Sequence, residues 1–248
     1  MSAPDFARAA PVWYEERVDS TNLYLRRIAP TAPDGAAVIA VSQSAGRGRL
    51  GRGFLSPEGG LYLSVLRRPE TDEARLPTLT PLAAVAVCRA VEEVCGLRCG
   101  VKWPNDVLLG GKKICGILVE SVLGAERPCV IVGIGINANS PAFPEELRQI
   151  AGSIAEAAGR SVDLHALAAA LLRQLDTLYE AWLRGAEDAR EEYRRLCLNV
   201  GREAVVSGRR GRCLAIGDDY SLLVRWDDGT EEALRFGEVS VRGLYGCE

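Results

Sequence analysis

The sequence predicts an α+β fold: a mixed β-sheet with helices, followed by a small C-terminal β-barrel. Three observations carry this. Up to residue 198, short β-rich apolar runs alternate with segments of helical periodicity. After Asn199 the chain breaks into short strands split by Gly- and Asp-rich turns. Its 248 residues suffice for one large domain with a small satellite, and 48% hydrophobic with 25% charged residues is the composition of a folded chain. The expected division is 1–198 and 199–248.

Asp19, Ser20, Thr21 and Asn22 precede LYLRRIA, an N-cap cluster ahead of a short helix. AAVIAVS (36–42) reads as a buried strand, and LYLSVLR (61–67) as the next. Between them, residues 43–60 are glycine-dense without apolar periodicity, a loop. Thr80 and Pro81 open a helix whose apolar face holds Leu82, Ala83, Ala86, Val87, Ala90, Val91 and Val94. VLLGGKKICGILVES (107–121) reads as a hairpin turning at Gly110 and Gly111, and CVIVGIGIN (129–137) as a buried strand. Helices are expected near 145–158 and 163–197, the second broken around Gly185. The tail segments EAVVS, GRCLAIG, YSLLVRW, EEALRF and EVSVR are the strands of the expected barrel.

Thirty basic against 33 acidic residues leave a formal charge of −3, which argues against a general nucleic-acid coat, where phosphate binding needs surplus Lys and Arg. No apolar run approaches the roughly 20 residues that span a bilayer, and the charged N-terminus has no leader-like apolar core. A cytoplasmic protein without membrane or nucleic-acid partners is expected. The eight cysteines form no C-x-x-C pair and lie mostly in apolar runs, so they read as buried free thiols. His165 is the one histidine, which disfavours zinc and leaves little room for a histidine-based triad.

Two segments carry chemistry. GRGRLGR (46–52) places three arginines in seven residues with no acid among them. Its glycines let backbone N–H groups converge on an anion, and its arginines offer planar forks for carboxylate or phosphate. KWPND (102–106), followed by Lys112, Lys113 and Gly116, gathers cations, an amide and a carboxylate at strand ends. On spacing alone it is equally a capped turn or a site. GIGIN lacks the third glycine of a dinucleotide fingerprint, and no G-x-x-x-x-G-K-[ST] loop is present.

Together, DSTN (19–22), GRGRLGR (46–52), KWPND (102–106), KKICGIL (112–118) and GIGIN (133–137) resemble the biotin–protein ligases, in that family's order and over nearly the whole chain. The resemblance implies a catalytic domain like that of class II aminoacyl-tRNA synthetases and an SH3-like C-terminal domain. It implies that biotin and ATP give biotinyl-5′-AMP, and that a lysine of a biotin carboxyl carrier protein then takes the biotin. By the same resemblance, Ser20, Thr21, Asn22 and Gln43 form the biotin ring pocket. Arg47, Gly48 and Arg49 close over the biotin carboxylate and the adenylate phosphate. Lys113 touches the carboxylate, and Gly116 admits the ligand close to the backbone. Arg52, Lys102 and Asn105 serve the triphosphate, Phe54 stacks on adenine, Asn137 reads it, and Arg242 reaches the nucleotide from the tail. Asp106 either holds magnesium or orients the incoming lysine.

The chain departs from the family where Leu50 replaces a frequent third cation and Phe54 a frequent tryptophan; Phe still stacks. Only 18 residues precede Asp19, which points to the enzyme-only form without a DNA-binding domain. Copy number stays open between monomer and homodimer. The alternatives are a related lipoate or acyl ligase, a non-catalytic biotin sensor and a nucleic-acid module. The last lacks aromatic residues interleaved with the basic loop.

Overall fold

A computed structural model describes residues 6, 8–122, 127–140, 142–237, 239–241 and 244. Seven strands form the main sheet: β1 (Val12–Val18), β2 (Ala37–Gln43), β3 (Leu61–Arg67), β4 (Gly100–Lys102), β5 (Asp106–Leu109), β6 (Lys112–Val122) and β7 (Cys129–Ile136). Their order is β1-β2-β3-β7-β6-β5-β4, with β1 parallel to β2 and every other pair antiparallel. The sheet is therefore mixed, as expected. The β5–β6 hairpin turns at Gly110 and Gly111, both at positive φ.

Helices cover the two faces unequally. The short α1 (Thr21–Ile28) packs Leu25 against Val38, Leu66 and Ile131 on one face. On the other, α2 (Leu79–Cys95) and α4 (Leu164–Leu183) bury Ile39, Leu63, Val65 and Val132 in the main core. The first face is thus only partly roofed. Where α1 ends, the sheet carries small residues: Ser64 of β3 is paired with Gly133 of β7, and Gly116 of β6 with Gly135. That bare, small-residue area is the floor of the site.

Three sequence expectations change. Val12–Val18 is a strand that charge-rich VWYEERV did not signal; it lies at the sheet edge and its outer positions face solvent. The helix expected over 145–158 is a 3-10 turn at Glu145–Leu147, a connection, and then α3 (Ile154–Ala158). The connection is drawn onto β6, where Lys113 N donates to Ile150 O at 2.7 Å and Gly152 N to Lys113 O at 3.0 Å. Those tertiary backbone bonds compete with helix continuation. The helix placed at Thr80–Pro81 begins earlier, at Leu79. The break expected near Gly185 is present, between α4 and α5 (Asp188–Leu196).

The tail forms five strands, β8 (Glu203–Val206), β9 (Arg209–Ile216), β10 (Leu222–Trp226), β11 (Glu231–Leu234) and β12 (Ser240–Val241). Among the described residues they make an open antiparallel sheet, β11-β10-β9-β8-β12, rather than the closed barrel expected. Among the described residues its edge strands, β11 of four residues and β12 of two, are not paired with each other. Val224, Trp226 and Val239 join the main core. Among the described residues, no helix is long and apolar enough to cross a membrane.

Candidate functional site

A cavity of about 430 Å³ opens over the bare floor, a size suited to a small ligand. Its inner end is neutral and polar. Ser20, Thr21 and Asn22, at the start of α1, are all buried. Ser20 is the N-cap residue but makes no side-chain capping bond, and it lines the cavity. Thr21 donates from N and Oγ1 to Gln43 Oε1, at 2.9 and 3.2 Å. Gln43 Nε2 donates to Ser56 Oγ at 2.8 Å. Ser64 Oγ stands 2.7 Å from both Thr21 Oγ1 and Asn22 Oδ1. This network orients both amides, so the pocket presents fixed donors and acceptors.

The glycines of β7 make room for it. A Cβ on Gly133 would lie 2.1 Å from Asn22 Oδ1, and one on Gly135 2.6 Å from the Phe54 ring. Phe54 also lies over Gly116, whose Cβ would stand 3.1 Å from the ring. Gly116, Gly133 and Gly135 thus leave space for the Asn22 amide and the Phe54 ring, a common use of glycine inside a strand.

The outer end is cationic. Arg47, Arg49, Arg52, Lys102 and Lys113 line it with a single acid, Asp106. The arginine loop is a tight structure in its own right. Gly48 N donates to Arg52 O at 2.7 Å, Phe54 N donates to Gly46 O at 2.8 Å, and Arg47 bridges Gly53. A 3-10 turn at Arg49–Gly51 forms its tip, with Leu50 at φ 56°. Arg49 reaches across the cavity: Nη1 donates to Asn105 Oδ1 at 3.0 Å and Nη2 to Gly237 O at 3.1 Å. Lys113 Nζ pairs with Asp106 Oδ1 at 2.7 Å.

The KWPND turn is fixed from both sides. Its Trp103–Pro104 peptide is cis. Trp103 N donates to buried Asn199 Oδ1 at 2.7 Å, and its indole N–H to Tyr220 O at 2.9 Å. Asn105 Nδ2 donates to Ile117 O at 3.0 Å. The turn is therefore a site and a well-anchored turn at once. Val239 and Ser240 of the tail complete the cavity wall.

Most of the residues singled out in the sequence line this one cavity: Ser20, Thr21, Asn22, Gln43, Arg47, Gly48, Arg49, Arg52, Phe54, Lys102, Asn105, Asp106, Lys113 and Gly116. Asn137 does not. It is buried behind the wall, where its amide faces Lys113 O at 3.5 Å and its carbonyl accepts from Ile154 N at 2.9 Å. Arg242 lies outside the described residues. Sequence reasoning missed Glu120, which accepts from Asn22 Nδ2 at 2.8 Å and pairs with Arg47 at 3.2 Å. Its signal was a lone acid inside an apolar strand. Cys115 lies in β6 beside Lys113, and complete burial pushes its thiol far up, away from thiolate chemistry.

Among the described residues, no group of three or more His, Cys, Asp or Glu could hold a metal. Asp106 is the one carboxylate lining the cavity, and it pairs with Lys113. A magnesium ion that arrives with ATP takes most of its ligands from phosphate and water, so one carboxylate would suffice beside it.

Comparison with known proteins places this geometry. Residues 14–137 match the model of the biotin/lipoate A/B protein ligase family. The chain is 36% identical over 229 residues to the bifunctional ligase/repressor BirA of Bacillus subtilis, covering 88% of this chain and 70% of that one. It is 42% identical over 124 residues to the biotin–[acetyl-CoA-carboxylase] ligase of Paracoccus denitrificans, covering 49% and 52%. The structure superposes on the biotin protein ligase from Aquifex aeolicus in complex with biotin and ATP, with a TM-score of 0.82, 30% identity and coverage of 93% and 98%.

Proposed function

The chain belongs to the biotin/lipoate A/B protein ligase family, and from this we propose how its cavity serves the reaction of a biotin–protein ligase. The protein is an enzyme that activates biotin with ATP and transfers it to a carrier protein of the carboxylase type. One observation carries the assignment of parts: a single cavity with a neutral hydrogen-bonding end and a cationic end. The neutral end suits a ureido ring, which offers one carbonyl and two N–H groups to Ser20, Thr21, Asn22 and Gln43. The cationic end suits a carboxylate meeting a triphosphate.

In the first step a biotin carboxylate oxygen attacks the α-phosphorus, the P–O bond to the leaving group breaks, and pyrophosphate departs. The product is biotinyl-5′-AMP, a mixed anhydride. The barrier lies largely in bringing two anions together, and fixed cations lower it without reorganising. Lys113 serves the carboxylate, Arg47, Gly48 and Arg49 the carboxylate and adenylate phosphate, and Arg52, Lys102 and Asn105 the triphosphate. Phe54 offers its ring to the adenine, and Gly116 lets the ligand approach the backbone. In the second step the acceptor lysine amine attacks the acyl carbon, AMP leaves with the electron pair, and an amide forms. Asp106 already holds one ammonium, that of Lys113 at 2.7 Å, which favours its role in orienting the incoming amine. No step is routed through magnesium. Asn137 frames the wall behind Lys113, and its burial gives no support to a direct contact with adenine. The tail sheet is read as the family's SH3-like domain, residues 199–248, beside a catalytic domain of residues 1–198.

The test is direct. The protein is incubated with ATP, magnesium, an apo carrier domain and either biotin or lipoate, and the carrier is weighed by mass spectrometry. A biotin-dependent mass gain on one lysine is expected. Modification with lipoate instead, or binding of biotin without turnover, would replace this reading.

A further inference from the structure

Large apolar side chains left in water are few, and their places are informative. Among the described residues eight are exposed, and four of them line the cavity or stand next in sequence to residues that line it or bond to its loop. Ile150 lines the cavity itself. Leu55 follows the lining residue Phe54, and Leu50 sits at the loop tip between the lining residues Arg49 and Arg52. Phe236 precedes Gly237, whose carbonyl accepts from Arg49. Leu50 and Phe236 are 75% and 83% exposed, the highest values of the eight.

A loop that serves only anions has no use for them. Leu50 also sits at φ 56°, a left-handed conformation unfavourable for a bulky side chain. Exposure and backbone strain at one position both cost stability, and strain of this kind gathers at functional sites. Biotin and ATP are to be held within the cavity, inside this ring. The third reactant is a protein, and its lysine has to reach the acyl carbon held inside this ring. The acceptor's own surface must therefore rest on the mouth.

We infer that Leu50 and Phe236, one from the arginine loop and one from the bend after β11, form an apolar collar on which the acceptor domain docks around its target lysine. The inference rests on the ligase reading and extends it to the partner. The collar is continuous with the contact between Arg49 and Gly237, so the acceptor would touch both parts of the chain at once. Its occupant is a folded domain whose target lysine stands among apolar side chains. Such side chains would leave water on docking, and contacts of this kind dominate interface energetics.

The test compares the natural chain with Leu50→Ser, Phe236→Ser and the double variant. Three rates are measured: biotin-dependent ATP–pyrophosphate exchange, transfer to hydroxylamine, and transfer to an apo carrier domain across a range of carrier concentrations. The double variant should raise the KM for the carrier about tenfold, while exchange and transfer to hydroxylamine stay within about twofold. An unchanged carrier KM overturns the collar. So does a parallel fall in exchange, which would assign these side chains to the small-ligand site. Absence of exchange in the natural chain would instead overturn the ligase reading itself.

Discussion

Arg47 and Glu120 form an ion pair at 3.2 Å that ties the glycine-rich loop to the C-terminal part of β6. The other oxygen of the same carboxylate accepts from Asn22 Nδ2 at 2.8 Å. One acid thus joins the arginine loop to the neutral end of the cavity. Asn22 is buried, so its amide orientation depends on that bond, whereas Arg47 is 43% exposed and its pair is weak by itself.

The two halves of this contact separate by mutation. Glu120→Gln keeps a hydrogen-bond acceptor for Asn22 and removes the charge beside Arg47, so the KM for biotin should rise less than about threefold. Glu120→Ala leaves Asn22 Nδ2 with only its long bond to Leu118 O at 3.4 Å, a loss of about 1–3 kcal/mol, and the KM should rise about tenfold. Pyrophosphate exchange at varied biotin measures both. Equal effects from the two variants would show that the charge on Arg47, not the orientation of Asn22, matters.

Lys113 and Asp106 give a second separable pair. Lys113→Ala should slow adenylation by roughly 100-fold, the scale of a lost transition-state donor. It also removes the ammonium beside the Asp106 carboxylate, which is only 14% exposed, so the melting temperature should fall. Adding Asp106→Asn should recover the melting temperature without recovering adenylation. If the double variant regains exchange activity, Lys113 acts only by neutralising Asp106.

Much of the site was legible because its chemistry is written in contiguous segments. GRGRLGR folds on its own backbone bonds, KWPND keeps its cavity residues within five positions, and the strand Leu61–Arg67 was visible as an apolar run between loops. What escaped depends on distant parts of the chain. The break at 148–153 comes from pairing with Lys113, a contact no local pattern records. Glu120 reads as an ordinary acid until Asn22 and Arg47 are brought to it. Gly133 and Gly135 looked like part of a failed dinucleotide motif, yet they are spaces for the Asn22 amide and the Phe54 ring. Asn137 was placed by resemblance, and the turn after β7 carries it behind the wall.

Acid should weaken the N-terminal anchor. Asp176 takes Arg8 at 2.7 and 2.8 Å and also pairs with Arg67; both guanidinium groups are buried. Burial by itself would raise the Asp176 carboxyl, but the hydrogen bond from Arg8 and the charges of Arg67 and Arg8 outweigh it and hold it below its ordinary value. A depressed folded value means stabilisation that is present above about pH 3.9, the unfolded value, and lost as pH falls through the folded one. Asp176→Asn should therefore melt lower than the natural chain at neutral pH, and the gap should close below about pH 4. A gap of constant size down to about pH 3 would mean that shape, not charge, is what Asp176 contributes.

Retention of the intermediate rests on Arg49. Biotinyl-5′-AMP is a mixed anhydride, and any amine or water that reaches it reacts. A ligase that labels one lysine must keep it covered until the acceptor docks. Arg49 spans the cavity from the loop to Asn105 on one side and Gly237 on the other, at 3.0 and 3.1 Å, and so closes the mouth. In the proposed reaction its guanidinium also supplies charge to the adenylate phosphate. Arg49→Gly removes the clasp and a charge-assisted contact worth about 1.5–3 kcal/mol, equivalent to a roughly 10- to 150-fold faster escape. Adenylation should survive in part, since Arg47, Arg52, Lys102 and Lys113 still line the cationic end. Selectivity should suffer more than turnover, with bystander proteins and the enzyme itself acquiring biotin from released biotinyl-5′-AMP. A streptavidin blot of a mixed lysate, read beside pyrophosphate release, measures the two together. Bystander labelling at the level of the natural chain, with biotinyl-5′-AMP still being made, would show that the clasp is not what holds the intermediate. Retention would then fall to the remaining cations and the ring pocket.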